Sequence, residues 1–184
     1  MQATEELKNE HEGIELMLRI LQAVADKLER GEPADTGHLE SILEFLSVFV
    51  DKCHHGKEEE FLFPALQGAG VLRESGPIGV MLSEHEQGRE LVKKFKESAA
   101  HYKPGDAAIA SSIRQIIGDY VSLLTRHITK ENTVLFPLAE AKLDSSKDSE
   151  LFEAFEQLER DRIGVGKHEE FHTILHQLQK IYLT

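Results

Sequence analysis

The second half of the chain repeats the first, and this repeat constrains the fold more than any other feature of the sequence. Residues 54–64 read HHGKEEEFLFP and residues 127–137 read HITKENTVLFP, so that His, Lys, Glu, Leu, Phe and Pro match in register. Upstream, residues 10–12 (EHE) recur at residues 84–86. Each half therefore carries one isolated histidine, followed by a histidine and a glutamate four residues apart.

The apolar residues recur alternately three and four residues apart, which is typical of helices that pack against near-parallel neighbours. No stretch combines the alternating period of a strand with a hairpin turn. The pattern predicts helices over about residues 3–30, 39–61, 78–102 and 109–138, and a C-terminal helix over about 148–182. The predicted fold is all-α: an up-and-down four-helix bundle with an additional C-terminal helix.

Length and charge limit the classes of protein to which the chain can belong. We expect its 184 residues to form a single domain over residues 1–184, with the bundle core at about 3–142. The net charge of −12 and the lack of a basic stripe argue against nucleic acid as a partner. No membrane segment or secretory signal is recognisable, and Cys53 has no cysteine to pair with. The sequence therefore predicts a cytoplasmic location.

Histidines and glutamates occupy helix positions that would normally be apolar. Leucine or isoleucine would be usual there, and burying polar groups is costly unless a partner satisfies them. Two helical hairpins related by an approximate twofold axis would bring both copies of the repeated set to one level of the core. The candidate metal ligands are His11, His54, Glu58, His85, His127 and Glu131.

The type and spacing of these ligands indicate which metal they hold. A histidine and a glutamate four residues apart lie on one helix face and can address the same centre, and two facing carboxylates can bridge a pair of ions. Nitrogen and oxygen ligands without thiolate suit iron or manganese better than copper(I) or structural zinc. The predicted cofactor is two iron ions, with zinc or manganese as alternatives.

The other polar residues near these motifs are weaker candidates. His55 follows a candidate ligand but points about 100° away around the helix. Glu59 and Glu60 fall outside the repeated register, and we expect them to be solvated. Three histidines spaced four residues apart on the C-terminal helix could form a second site, although a solvated or partly packed face is the simpler interpretation: His168, His172 and His176.

The two H-x-x-K-E-x-x-x-L-F-P blocks and the isolated histidines resemble the hemerythrin-like, or HHE cation-binding, family over about residues 5–140. The resemblance implies a carboxylate-bridged, non-haem di-iron centre held by the six candidate ligands, with O2 or NO bound at an open iron position. Oxygen carriers of this family have a further histidine at the position of Arg89, and their second carboxylate comes five residues after its histidine. The chain looks more like the bacterial branch linked to nitrosative stress and iron-centre repair.

Three functions are compatible with the predicted metal-binding helical bundle. The first is a di-iron protein that binds O2 or NO for sensing, storage or stress response. The second is a di-iron enzyme that acts on O2, peroxide or NO, or a donor of iron for repair. The third is a helical bundle that binds a protein partner. The sequence leaves open whether the chain is an enzyme and whether the C-terminal helix mediates a homodimer.

Overall fold

The computed structural model describes residues 1–183, which form six helices and contain no β-strand. The helices are α1 (Gln2–Glu29), α2 (36–68), α3 (Pro77–His101), α4 (107–142), α5 (145–163) and α6 (Lys167–Tyr182). The side chains of Asp35, Asp106 and Asp144 accept hydrogen bonds from backbone N–H groups at the starts of α2, α4 and α5. These caps satisfy N–H groups that have no partner within the helix.

The first four helices form the predicted bundle, in which α4 packs against both α1 and α3, and α2 packs against α3. The all-α fold with an added C-terminal segment is confirmed. The prediction of one continuous C-terminal helix is wrong, because α5 and α6 are separate helices that pack against α1 and α2. Gly164 and Gly166 separate them with φ angles of 95° and 84°, which favour glycine and are incompatible with a continuing helix.

The two helices that each carry a histidine and a glutamate four residues apart, α2 and α4, widen at equivalent places. In α2 the Phe63 N–H donates to the Glu58 carbonyl, and in α4 the Phe136 N–H donates to the Glu131 carbonyl, each five residues back along the chain. The wide turns Glu58–Leu62 and Glu131–Leu135 are therefore π-helical, a geometry that is frequent at functional sites. A proline follows each of them, and neither proline ends its helix, because α2 runs on to Gly68 and α4 to Lys142.

The apolar core consists of two clusters of buried side chains. One includes Ile14 and Leu124, and the other includes Leu7 and Leu135. His11 lies between Leu7 and Ile14 on α1, and His127 lies between Leu124 and Leu135 on α4. A polar layer thus divides the core at the level of the candidate ligands. No helix within residues 1–183 is long and apolar enough to cross a membrane.

Candidate metal centre

The structure brings all six predicted ligands together in this polar layer. Each has at most 2% of its surface exposed. The histidines form two pairs: His11 Nε2 lies 3.1 Å from His54 Nε2, and His85 Nε2 lies 3.1 Å from His127 Nε2. Each pair connects the two helices of one repeat: His11 and His54 come from α1 and α2, and His85 and His127 come from α3 and α4.

The two carboxylates lie between the histidine pairs. Glu131 Oε2 is 3.1 Å from His11 Nε2, while its Oε1 is 2.9 Å from His127 Nε2. Glu58 Oε2 is 3.3 Å from His85 Nε2, while its Oε1 is 3.9 Å from His54 Nε2. Each carboxylate therefore presents one oxygen to each pair. Ligand atoms of His11, His54 and Glu131 lie within 4.8 Å of one another, and so do those of the remaining three ligands and Glu131.

The outer nitrogen of every ligand histidine has its own acceptor. His54 Nδ1 donates to Glu10 Oε2 at 2.7 Å, and its counterpart in the repeat, His127 Nδ1, donates to Glu84 Oε2 at 3.0 Å. The other two acceptors are also equivalent in the repeat: Glu59 for His85 Nδ1 at 2.7 Å and Asn132 for His11 Nδ1 at 3.0 Å. An acceptor at Nδ1 places the proton there and orients the ring, as the outer partners of metal-binding histidines do.

These contacts test whether the residues fit a metal ion. With Nδ1 protonated on a neutral ring, Nε2 is a lone pair, so the two Nε2 atoms of each pair, 3.1 Å apart, need either a shared proton or a cation between them. The four carboxylate oxygens of Glu58 and Glu131 are buried and have no hydrogen-bond partner within residues 1–183. Cations between the pairs would satisfy all of these atoms, because imidazole nitrogen and carboxylate oxygen suit borderline divalent metals. The residues therefore fit the group that the sequence predicts.

The electrostatics of the centre agree with this fit. Burial, followed by the adjacent Glu131 carboxylate, raises the pKa of Glu58 to about 7. Burial also tends to raise the pKa of Glu131, but the imidazoles of His127, His11 and His85 outweigh it and lower that pKa well below its usual range. Burial, with His11 nearby, lowers the pKa of His54 well below its usual value, so this imidazole is neutral and able to bind a cation. For His11, His85 and His127, the carboxylates of Glu58 and Glu131 outweigh burial and raise the pKa, so a bound cation would displace protons there.

A buried lysine lies behind one of the histidine pairs. The Lys57 ammonium is fully buried and contacts Glu6, Glu10 and Glu159 at 2.5, 2.6 and 2.6 Å. Glu10 and Glu159 also lie close to Cys53, whose thiol pKa is raised by burial. This acidic cluster has the lysine as its cation, so it needs no metal ion. It connects α5 to the acceptor of His54 through Glu159, Lys57 and Glu10.

Two residues near the centre contact a candidate ligand that the sequence did not connect them with. Glu59 is not simply solvated, because it accepts from His85 Nδ1 and pairs with Arg89 at 2.6 Å. His55 is 4% exposed, and its ring stacks on that of His85 with centroids 3.9 Å apart. The repeat contained a signal for the acceptors, since Glu10 and Glu84 recur together with the isolated histidines. Nothing in the sequence pattern indicated His55.

The histidines of α6 do not join the centre. His168 lies 3.5 Å from Glu159 and packs edge-on against Phe49, and its ring is 4.8 Å from that of His172. The hydrogen bond from this imidazole, together with the Lys57 ammonium, outweighs the effect of burial and lowers the pKa of Glu159 to about 2. Within residues 1–183, none of the three α6 histidines belongs to a group of side chains that could hold a metal.

Replacing Glu59 with alanine is expected to weaken metal binding by about 10- to 100-fold, since His85 loses the acceptor that orients it. Competition with a chelator of known affinity measures the change. Glu60→Ala is the matched control, because the neighbouring Glu60 side chain is exposed and pairs only with Arg162 among residues 1–183. Equal affinities for the two variants would contradict the role given to Glu59.

Comparison with known protein families gives an independent result. The family profile described as hemerythrin HHE cation binding domain matches residues 2–139. This match spans the four bundle helices almost completely and contains all six candidate ligands. No solved structure matches the chain significantly.

Two groups of curated relatives are similar to the chain. An uncharacterized protein of Mycobacterium tuberculosis is 24% identical over 88% of this chain and 63% of its own length. The iron-sulfur cluster repair protein YtfE is 32% identical over 65% of this chain, covering 55% of the Cronobacter sakazakii protein and 56% of the Escherichia coli protein. The chain thus spans between about half and two thirds of the length of these relatives.

Proposed function

Because this chain belongs to the hemerythrin HHE cation-binding domain family, we propose that it is a cytoplasmic, non-haem di-iron protein that binds O2 or NO. The observation that carries the proposal is the pairing of four Nε2 atoms around two buried carboxylates, whose oxygens have no hydrogen-bond partner among residues 1–183. A helical bundle without a metal function would leave these buried groups unsatisfied, at a large cost in stability.

The position of the carboxylates supports a proposal of two ions rather than one. Glu131 belongs to both groups of ligand atoms, one with His11 and His54 and the other with His85, His127 and Glu58. A single ion could not use both groups, since each carboxylate directs its two oxygens to different histidine pairs. We therefore infer that each histidine pair would hold one iron ion, and that Glu58 and Glu131 could serve as ligands to both ions.

The six side chains leave coordination positions for a small ligand. Iron bound here would supply redox-active positions at which O2 or NO can bind. The chain's own residues exclude bulk water, since all six ligands are buried, and they fix the ring orientations through acceptors at Nδ1. Arg89 stands where oxygen carriers have another histidine, and it is paired with Asp51 and Glu59. With fewer imidazoles per ion than in the oxygen carriers, we expect a small ligand to exchange at the iron more readily than at a fully coordinated site.

Titration of the anaerobic ferrous protein with NO, followed by absorption and electron paramagnetic resonance, tests this function. We expect a saturable spectral change that scales with the iron content and is absent from a Glu131→Ala variant. A parallel titration with O2 shows which gas gives the tighter and more reversible response. Iron-loaded protein whose spectrum responds to neither gas would contradict the proposal.

A second candidate function is the donation of iron for repair of iron centres. It is favoured by the similarity to the iron-sulfur cluster repair protein YtfE, which includes the bundle region. Under this alternative, iron would transfer from the chain to a metal-depleted acceptor faster than to a chelator of similar affinity. Equal transfer rates to the two acceptors would count against it.

A further inference from the structure

A cavity of about 260 Å3 opens beside the metal centre, between α2, α3 and α4. Its walls are mainly apolar and include Leu46, Val50, Gly88 and Val92. His55 also lines it, and the His55 ring stacks on His85. The cavity therefore reaches to within one ring of the candidate ligands, and its volume is large enough for a small molecule, since a water molecule takes about 30 Å3 in the liquid.

Two polar side chains in this cavity lack hydrogen-bond partners within residues 1–183. His55 is 4% exposed, and neither of its ring nitrogens makes a hydrogen bond, although Nδ1 is 3.5 Å from Asp51 Oδ1. The hydroxyl of Tyr120 also makes none, although it is not a buried atom and opens into the cavity. Buried polar atoms such as the His55 nitrogens are normally satisfied, so both side chains are available to a molecule in the cavity.

Ligand atoms of His55, His85 and His127 lie within 4.8 Å of one another, but the orientation of the His55 ring does not suit an ion shared with His85. The two rings are nearly parallel, with planes 14° apart and centroids separated by 3.9 Å. A metal ion lies in the plane of an imidazole that binds it, and two stacked rings have no common plane. The ring nitrogens of His55 are therefore free to hydrogen-bond to another molecule, because they would not bind the ion that His85 would hold.

The rim of the cavity is cationic on a chain whose net charge is −12. Lys52, Lys93 and Lys96 are exposed, line the cavity, and have no carboxylate within ion-pair distance among residues 1–183. The only carboxylate that lines the cavity, Asp51, is paired with Arg89 at 2.8 Å. A cluster of unpaired ammonium groups at the mouth of a small apolar cavity attracts anions and excludes cations.

We propose that this cavity binds a small monovalent oxoanion, which accepts hydrogen bonds from the Tyr120 hydroxyl and the His55 imidazole. The three lysines at the rim supply the charge that selects an anion. None of these residues is one of the six predicted metal ligands, so the site is distinct from them and goes beyond the binding of O2 or NO.

Isothermal titration of the purified full chain with formate tests the proposal, with formamide as an uncharged probe of the same size. We expect formate to bind more tightly than formamide by about tenfold, because hydrogen bonds and nearby cations favour the charged probe. Tyr120→Phe keeps the ring and should weaken formate binding by about tenfold. The double variant Lys93→Gln and Lys96→Gln should weaken it several-fold and reduce its dependence on salt.

Matched controls separate the cavity from general effects. Lys94→Gln removes an exposed neighbouring charge that does not line the cavity, and formate binding should be unchanged. Gly88→Val narrows the cavity, since a Cβ there would lie 3.9 Å from Tyr120 and Leu124, and should reduce formate binding strongly. Gly118→Val, at an open helical position, should not.

Equal affinities for formate and formamide would overturn the proposal. It would also be overturned if formate binding were unchanged in both Tyr120→Phe and the double lysine variant, as it should be in Lys94→Gln. Metal content is determined in every sample. A sample without iron would contradict the di-iron function, and the formate titration would still test the cavity. A sample with the expected iron that binds formate and formamide equally would contradict only the anion site.

Discussion

The Lys57→Met variant is expected to lose about 3–5 kcal/mol of unfolding free energy, the usual cost of removing one partner from a buried ion pair. Lys57 is fully buried, and its ammonium is the cation shared by Glu6, Glu10 and Glu159. Methionine fills a similar volume but leaves these carboxylates without a counter-charge. Denaturant unfolding at neutral pH, with an unchanged m-value, measures the loss.

The repeat supplies the matched control, because Lys130 occupies the equivalent position in the second half. Lys130 is 39% exposed and pairs with one carboxylate, Glu84. Lys130→Met should therefore cost no more than about 1 kcal/mol, as expected for an exposed ion pair. If the two variants were equally stable, the cluster around Lys57 would not have the structural importance given to it.

The second large effect concerns the two shared carboxylates. The double variant Glu58→Met and Glu131→Met should bind no metal, yet its metal-free form should be more stable than the metal-free parent by about 1–4 kcal/mol. Glu58 and Glu131 are fully buried, and their oxygens have no hydrogen-bond partner within residues 1–183. Without metal the two carboxylates face each other in the core with only imidazole nitrogens beside them, and we expect apolar side chains of similar volume to pack there at lower cost.

Unfolding curves of both proteins, with and without chelator, test this expectation. Adding metal should stabilise the parent, by about 2.7 kcal/mol when free metal is at 100 times its dissociation constant, and should leave the double variant unchanged. A metal-free double variant less stable than the metal-free parent would indicate that the carboxylates have a structural role independent of metal.

The ligand positions could be predicted because they depend on features that a sequence displays directly. Helical periodicity placed His11 and His127 in the buried seam, and the repeat placed Glu58 and Glu131 at equivalent positions. The structure brings these residues to one level of the core, as the approximate twofold relation requires. Whether they bind iron is the proposal that the experiments test.

The surroundings of the ligands were harder to predict, because they depend on which residues of different helices meet. Glu59 lies one position after a ligand on α2, but its role arises from contact with His85 on α3. His55 was expected to point away from the site, and it does lie on another face of α2 than His54. That face packs against α3, so that His55 stacks on His85. Periodicity along one helix does not encode such contacts between helices.

The break between α5 and α6 is a similar case. Apolar periodicity continues across residues 148–182 and favours one helix, while Gly164 and Gly166 mark only a weak point in the sequence. In the fold, α6 packs against α1, and the chain turns through positive φ angles at both glycines to reach that position. Tertiary packing therefore decides whether the weak point becomes a break.

The most direct test of the di-iron centre is elemental analysis of the purified protein, compared with His54→Ala and His127→Ala variants. Each substitution removes one member of a different histidine pair. We expect about two iron ions per parent chain, as in carboxylate-bridged di-iron bundles, and a clear loss of iron from each variant. A parent chain without metal, or one whose metal content neither variant changes, would contradict this expectation.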